Sequence, residues 1–507
     1  MYTAIILLVI FIYLPYHFYR NYFHARKDKK SSPAPPPTDW PIFGMLPGLL
    51  LNCGRVHTFM TELLESSGGT FYLKGAWFAN MSMLITSDPA NVHYILAKNF
   101  PNFEKGPQFK KMFDVLGDGI FNAESESWEI QKRTAKSLMH NTSFPDFIAR
   151  TSWSKVENAL IPILELASET GTEVDLQELF QRFAFDCSCI TVLGHDPVSL
   201  CKELPHLPHE KAFADAEQAV LYRHMLPEFT WKLQSWLHIG KENELTKAKD
   251  VIHRFVSDCI SMKHQDFNLT GPKDDGLDML TSCMRARADE GINAAPNNYS
   301  DEVWKDTLLN LIFAGKDTIS AALAWFFWLV ATNPAEQEKI RREIDDTNWR
   351  FTTIEESKKL VYLHGALCET LRLFPPVPFQ HKAPVEHDIL PSGHRISPNT
   401  KTVLSFYSMG RMESIWGNDC LDFKPGRWID PETGRVRTEP SFKFTAFNAG
   451  PRSCLGKDVS FIQLKIVAAA IVSRFNIRVA RGFSVTPSIS VILHMKHGLK
   501  VKVSDFA

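Results

Sequence analysis

The strongest constraint on this fold is the segment 301–332, thirty-two residues without proline and apolar around most of a helical circumference. Its apolar spacing, Ser300 before it and Asn333-Pro334 after it predict one unbroken helix capped by Ser300. At 1.5 Å per residue such a helix runs about 48 Å, enough to cross a whole domain. A helix apolar on all sides has to be buried, so the rest of the chain is expected to pack around it. Its middle is not apolar, however: it reads Ala314-Gly315-Lys316-Asp317-Thr318. A glycine and a charged pair inside a buried helix cost stability. They mark either a kink with a solvated Asp317 or a place where an acid and a hydroxyl stand side by side, as general-acid chemistry requires.

The second constraint is the run Phe447-Asn448-Ala449-Gly450-Pro451-Arg452-Ser453-Cys454-Leu455-Gly456. Gly450 permits a turn that a Cβ would obstruct, Pro451 fixes the next φ, and Gly456 leaves room for a flat partner or another backbone. Residues 457–474 read as a long apolar helix, which puts Cys454 near a helix N-terminus, where the dipole favours a thiolate. A thiolate in a glycine-lined loop suits a single soft metal ligand. An inert buried cysteine would leave the loop pattern unexplained.

Other features narrow the class. With 507 residues, length alone allows two to four domains, and 56 basic against 57 acidic residues argue against nucleic acid or a polyanionic substrate. Nine cysteines, an odd number without zinc-type spacing, read as reduced core residues of a cytosol-facing protein. Gly117-Asp118-Gly119 lacks the third glycine of a dinucleotide fingerprint, so no nicotinamide or flavin module is expected. Residues 1–19 form an apolar run that is short for a membrane span, followed by basic residues and without the n-region of a signal peptide. They are expected to be a membrane anchor, with 20–39 a basic and proline-rich linker and 40–507 the catalytic domain on the cytosolic side. Short strands are expected at 71–73, 81–85 and between 377 and 409, a strand pair at 491–503, and mainly helix from 88 to 348 with polar loops at 271–276 and 291–300. The expected fold is mainly α with minor β: a large helical domain and a small β-sheet portion.

The loop around Cys454 resembles the haem-binding loop of the cytochrome P-450 family. The resemblance implies that Cys454 is the axial thiolate of haem b, with Phe447 packed by the sulfur, Gly456 beside the cofactor and Arg452 on a propionate. The family carries Ala/Gly-Gly-x-Asp/Glu-Thr in its long helix. This implies that Ala314 and Gly315 face the haem, that a local opening of the helix makes room for dioxygen, and that Asp317 and Thr318 relay protons. Glu369-Thr370-Leu371-Arg372 matches the family's Glu-x-x-Arg, and Phe423-Lys424-Pro425-Gly426-Arg427-Trp428 resembles its Pro-x-Arg-Phe/Trp element. Together they imply a Glu369–Arg372–Arg427 network behind the loop. Trp128 and Lys132 resemble the family's Trp-x-x-x-Arg propionate pair, with Lys132 in the arginine register and Arg133 next to it. His381 or Lys382 stands where the family often has another propionate partner. Electrons would come from NADPH–cytochrome reductase, docking on Lys132, Arg133, Lys136, Lys457 and Lys465, at the endoplasmic reticulum membrane.

Three classes of function share such a fold: oxygen activation with NADPH-derived electrons, oxygen-independent rearrangement, and haem sensing. The Asp317-Thr318 pair favours the first. Stretches such as 359–367 and 407–417 are similar to the plant branch of fatty-acid and alkane hydroxylases, which includes phenol-coupling members of the noroxomaritidine-synthase type. Lys316 replaces a common arginine and Ile319 a common hydroxyl, which suits a different substrate. The expected reaction is oxidative phenol coupling of a norbelladine alkaloid, with mid-chain or terminal hydroxylation of alkanes or fatty acids as the alternative.

Overall fold

The long helix spans Asp301–Thr332, as its sequence pattern requires. Its side chains enter both of the largest apolar clusters of the molecule, Ile319 to Val330 in one and Leu308 to Ile312 in the other. The computed structural model describes residues 39–506 except 41, 77, 78, 80, 140, 141, 271–276, 290–300, 348 and 350–353. The expected anchor at 1–19, the linker up to residue 38, the Ser300 cap and the polar loops at 271–276 and 291–300 lie outside the described residues. Among the described residues no single helix is long and apolar enough to cross a membrane.

The helices that position the site are α1 (Val56–Ser66), α2 (Ser125–Met139), α3 (Phe144–Lys155), α4 (Leu176–Leu193), α5 (Pro208–Met225), α6 (Glu228–Leu237), α7 (Gly240–Thr270), α8 (Asp301–Thr332), α9 (Pro334–Asp346), α10 (Val361–Leu373) and α11 (Lys457–Arg474). Local chemistry sets their ends. Asp175 accepts hydrogen bonds from the first amides of α4, and Gly194 closes that helix in the left-handed conformation. Along its length α4 lies against α8, while α11 buries an alanine- and isoleucine-rich stretch against α3, α8 and α9.

The β portion is small. Strands β1 (Thr70–Leu73), β2 (Met83–Thr86), β3 (Phe103–Glu104), β4 (Glu173–Asp175), β5 (Phe379–Pro384), β6 (Asp388–Ile389), β7 (Arg395–Ile396), β8 (Thr402–Ser405), β9 (Phe475–Val479) and β10 (Lys500–Asp505) form three sheets. The largest has the order β1-β2-β8-β5-β3, with β2 and β8 parallel and the other neighbours antiparallel. The second is β4-β10-β9, and β6 pairs with β7. The mainly helical fold with a minor β part is therefore as expected. The strand pair expected at 491–503 is not: a single strand, β10, pairs with β4 and β9, and residues 491–499 form a loop. The reason is competition for backbone groups. The Leu493 carbonyl accepts from the Trp325 indole at 2.6 Å, and both backbone groups of Met495 bond the Gln177 amide. No disulfide joins the cysteines among the described residues, but Cys53 and Cys454 are exposed and so do not belong to the core as expected.

Candidate active site

The loop before α11 is held by its own backbone. Cys454 N–H donates to the Phe447 carbonyl at 2.8 Å, and the Asn448 side-chain amide donates to the Arg452 carbonyl at 3.1 Å. Gly450 has φ +65°, and a Cβ there would stand 1.8 Å from the Leu96 carbonyl oxygen, so both conformation and space demand glycine. Gly456 differs. A Cβ on it would meet nothing of the chain closer than 3.7 Å, and Cys454 Sγ at 3.9 Å. No backbone of the protein uses that room, which leaves space for a flat partner. Phe447 lies against Phe461, the rings 5.3 Å apart. Cys454 is solvent-exposed yet recessed among dense protein, and this burial pushes its thiol above the ordinary value, against the lowering effect of the Gly456 backbone. Burial and the backbone thus act in opposite senses on this thiol. A metal cation would favour the thiolate.

Behind the loop, buried charges are fully paired. Arg372 reaches Glu369 through two bonds of 2.7 and 2.8 Å, Arg427 Nε lies 3.3 Å from the same carboxylate, and the Trp428 indole donates to it at 2.8 Å. The remaining Arg372 donors go to the carbonyls of Gly410, Cys420 and Asp422. Thus Glu369, Arg372 and Arg427, 55 or more residues apart in the case of Glu369 and Arg427, do meet.

In front of the loop the balance is different. Arg452 pairs with Glu124 and donates to the Ala123 carbonyl at 2.7 Å, while its Nε is buried without a partner. Lys105 is driven far below the ordinary lysine range by burial and by the neighbouring Lys382 and Arg452. Burial and Arg452 likewise bring Lys382 down to about 7. Its Nζ donates to the Phe103 carbonyl at 2.8 Å, and among the described residues neither lysine forms an ion pair. Trp128 lies under the Arg452 guanidinium at 4.6 Å, and Lys132 bonds the Pro451 carbonyl. His381 is no surface loop residue: it is buried in β5, and burial beside Lys401 holds it well below the usual histidine range.

Along α8, Lys316 Nζ and Asp317 Oδ1 are 2.6 Å apart and both side chains are buried, which replaces the solvated aspartate considered from sequence. Burial raises the Asp317 carboxyl above its ordinary value; Lys316 opposes this and Glu217 adds to it. Thr318 Oγ1 donates to the Ala314 carbonyl at 2.7 Å. The expected local opening of the helix at Gly315 is absent. The helix is continuous, and a Cβ on Gly315 would stand 2.5 Å from Ser188 Oγ, so this glycine lets α4 approach α8. Ala314, Asp317 and Thr318 face a cavity of about 440 Å³ between α8, α5, the sheet and the loop 489–492.

The sequence model described as Cytochrome P450 matches residues 33–503 of this chain. The chain belongs to the cytochrome P450 family. It is 41% identical to the alkane hydroxylase MAH1 of Arabidopsis thaliana, over 96% of this chain and 96% of that protein. It is 38% identical to cytochrome P450 86B1 of the same plant, over 95% of this chain and 87% of that one. The noroxomaritidine synthase of Narcissus aff. pseudonarcissus MK-2014 is also 38% identical, over 92% and 91%. This P450 is accordingly a haem-thiolate monooxygenase with haem b as cofactor.

The residues present fit that cofactor. The front cluster sets Arg452, Lys105 and Lys382 against the paired carboxylate of Glu124 and the nearby carboxylate of Glu104, three cations to two anions, and the orphaned Arg452 Nε adds a free donor. Such a cationic excess suits the two carboxylates of a porphyrin. In this P450 the sequence motifs point to Arg452, Trp128 and Lys132 but miss Lys105 and Glu124, which no motif marks and which arrive through tertiary packing of the segments around β3 and α2. One expected reductase contact is corrected. Lys465 is buried in α11 and donates to the Ser357 carbonyl at 2.7 Å, because that helix is enclosed on its long apolar sides. Arg133, Lys136 and Lys457 are exposed.

Proposed function

We propose that Cys454 is the thiolate ligand of the haem in this P450, and that the protein hydroxylates a long aliphatic substrate held in the cavity over α8. The observation that carries the substrate class is the cavity wall, built mainly from aliphatic and phenyl side chains such as Phe113, Leu116, Phe121, Phe313, Val377 and Val491. A saturated chain makes no hydrogen bonds and is held by such apolar contacts alone. Bound haem supplies oxygen activation, with the thiolate donating electron density that favours O–O cleavage. Asp317 is the acid of the relay: burial raises its carboxyl towards the protonated form, and the Lys316 ion pair opposes this. Thr318 Oγ1 is the hydroxyl at the cavity wall that takes the proton onward. Glu369, Arg372 and Arg427 fix the segment behind the loop; Arg452, Lys105, Lys382 and Trp128 seat the propionates. The alkane hydroxylase among the relatives accords with this substrate class.

Phenol coupling, which sequence resemblance put first, becomes the second reading. It draws on the noroxomaritidine synthases among the relatives and on His57, Gln380 and Ser490, polar side chains of the cavity that a phenol would engage. Electrons come from an NADPH-dependent reductase docking on Arg133, Lys136 and Lys457. The anchor at residues 1–19 would hold the protein to the endoplasmic reticulum. A further apolar surface supports contact with lipid: Phe229, Leu233 and Leu237 on α6 are exposed, and Trp236 is 75% exposed.

Binding spectra of the holoenzyme with hexadecane and with a phenolic norbelladine decide the substrate. A spin-state shift and a hydroxylated product with hexadecane support hydroxylation, and a response to the phenol alone reverses the order. In Thr318→Ala, NADPH consumption should continue while at least several-fold more of it ends as peroxide, as expected for a lost proton-transfer group. Unchanged peroxide release would remove Thr318 from the relay.

A further inference from the structure

Beside Asp317 lies a set of groups that no motif announces. Glu217 from α5, Asp317 from α8 and His494 from the C-terminal loop bring one ligand atom each within 4.8 Å of one another. His494 Nε2 lies 3.7 Å from Glu217 Oε2, an ion-pair separation longer than a hydrogen bond, and both imidazole nitrogens are buried without a hydrogen-bond partner. Glu217 also accepts the Ile492 amide at 3.2 Å. The loop carrying His494 is fixed on both sides, by Trp325 bonding the Leu493 carbonyl and by Gln177 bonding Met495. The imidazole is thus held beside the two carboxylates by a fixed loop.

Charge counting gives the cluster its meaning. Lys316 contributes one cation, Asp317 and Glu217 two carboxylates, and His494 one imidazole. Glu210, the other acid that Lys316 feels, lies 3.5 Å from Arg182. A buried group of this kind is neutral only when it carries one proton beyond Lys316, on the imidazole or on a carboxylate. Moving that proton between His494 and Asp317 changes no net charge, so burial does not oppose the transfer. Accessibility adds a direction: the side chains of His494 and Glu217 are 12% and 16% exposed, that of Asp317 only 3%. Glu217 shares the cavity wall with Asp317, so it is the member of the cluster most open to water there.

We propose that Glu217 and His494 are positioning residues that hold one exchangeable proton beside Asp317 and replenish the proton that Asp317 gives up. In the step, the N–H of the imidazolium gives its proton to a carboxylate oxygen of Asp317, directly or through Glu217. His494 becomes neutral and Asp317 becomes the carboxylic acid; because both imidazole nitrogens are enclosed, the ring recovers its proton by way of Glu217, whose carboxylate takes one from water at the cavity wall. The inference rests on the relay reading of Asp317 and Thr318. The groups facing His494 are Glu217, Asp317 and Lys316. Burial lowers its affinity for the proton and Lys316 lowers it further, but Glu217 and then Asp317 outweigh both and raise it above the ordinary histidine value. The imidazolium is therefore populated below that raised value and lost as pH rises through it.

The test uses the holoenzyme with its reductase, NADPH and hexadecane, and also without any substrate, measuring peroxide formed per NADPH across pH 5.5 to 9, alongside infrared difference spectra of the protonated carboxyl. In the wild type the peroxide fraction should rise with pH through a single midpoint. Glu217→Gln should move that midpoint to lower pH, because the imidazolium loses its counter-charge. His494→Gln should give a peroxide fraction at least threefold higher at acidic pH and nearly flat with pH, with a changed carboxyl band. Glu217→Asp, which keeps the charge, should restore the midpoint towards the wild type and guards against loss of haem in the other variants. Wild-type midpoints and an unchanged carboxyl band in both Glu217→Gln and His494→Gln would overturn the proposal. If Thr318→Ala releases no extra peroxide while these variants shift the carboxyl band, the relay reading fails and the shared proton stands.

Discussion

Two charge clusters flank the Cys454 loop, and they are built on opposite rules. Behind it, Glu369, Arg372, Arg427 and the Trp428 indole satisfy one another, and Arg372 is completely buried. In front of it, Arg452, Lys105 and Lys382 crowd together with Glu124 as the one carboxylate paired among them, and burial depresses every one of these cations. A closed cluster holds the chain in place. An open one is a candidate site, since buried cations in excess of their counter-charges favour an anion that joins them.

The comparison breaks most visibly at Glu369. Glu369→Gln leaves Arg372 as an uncompensated buried charge, a cost of about 3–5 kcal/mol. No holoprotein should form; a normal carbon monoxide difference spectrum and an unchanged thermal midpoint would contradict the structural role. The two glycines of the loop give the next largest contrast. Gly450→Ala should lose about 1–3 kcal/mol from its left-handed backbone alone, and more from the clash with Leu96. Gly456→Ala should leave the apoprotein stable, measured by denaturant unfolding, but weaken haem retention. Equal losses in the two variants would erase the distinction between a packing glycine and a cofactor glycine.

The front cluster should answer in the reverse sense from the rear one. Lys382→Gln or Lys105→Gln removes a cation from a repulsive set, so the apoprotein should be as stable as wild type or more so. Haem affinity should fall by about 1–3 kcal/mol for each lost charge-assisted bond, read from haem transfer to an acceptor protein. A destabilised apoprotein with normal haem affinity would place the front cluster among the structural ones. The smallest effect belongs to the surface. Arg133→Gln with Lys457→Gln should slow reduction by the reductase a few-fold at low salt and little at high salt, as screened steering charges do.

The proton-holding cluster occupies a middle position between these two. Lys316, Asp317, Glu217 and His494 balance only with one shared proton, so they are neither closed like the rear cluster nor short of an anion like the front one.

The sequence by itself determined what depends on neighbours along the chain. The span of α8 follows from its apolar period and the Asn333-Pro334 stop, that of α11 from the apolar run after Gly456, and the pairing partners Glu369 and Arg372 from their three-residue spacing on one helix. The Cys454 loop was legible for the same reason, since its ten residues fix one another. Tertiary structure alone decided which buried charges find partners. Lys105, Glu124, Glu217 and His494 carry no local signature, and they gain meaning only when segments hundreds of residues apart are packed together. It also changed the sense of single residues. Gly315 makes room for Ser188 and not for an opened helix, Lys465 is enclosed and not displayed, and residues 491–499 give their backbone bonds to Trp325 and Gln177 instead of a second strand. Spacing along a chain states which groups can share a face; the free energy of a buried charge or an amide is set by what else arrives there.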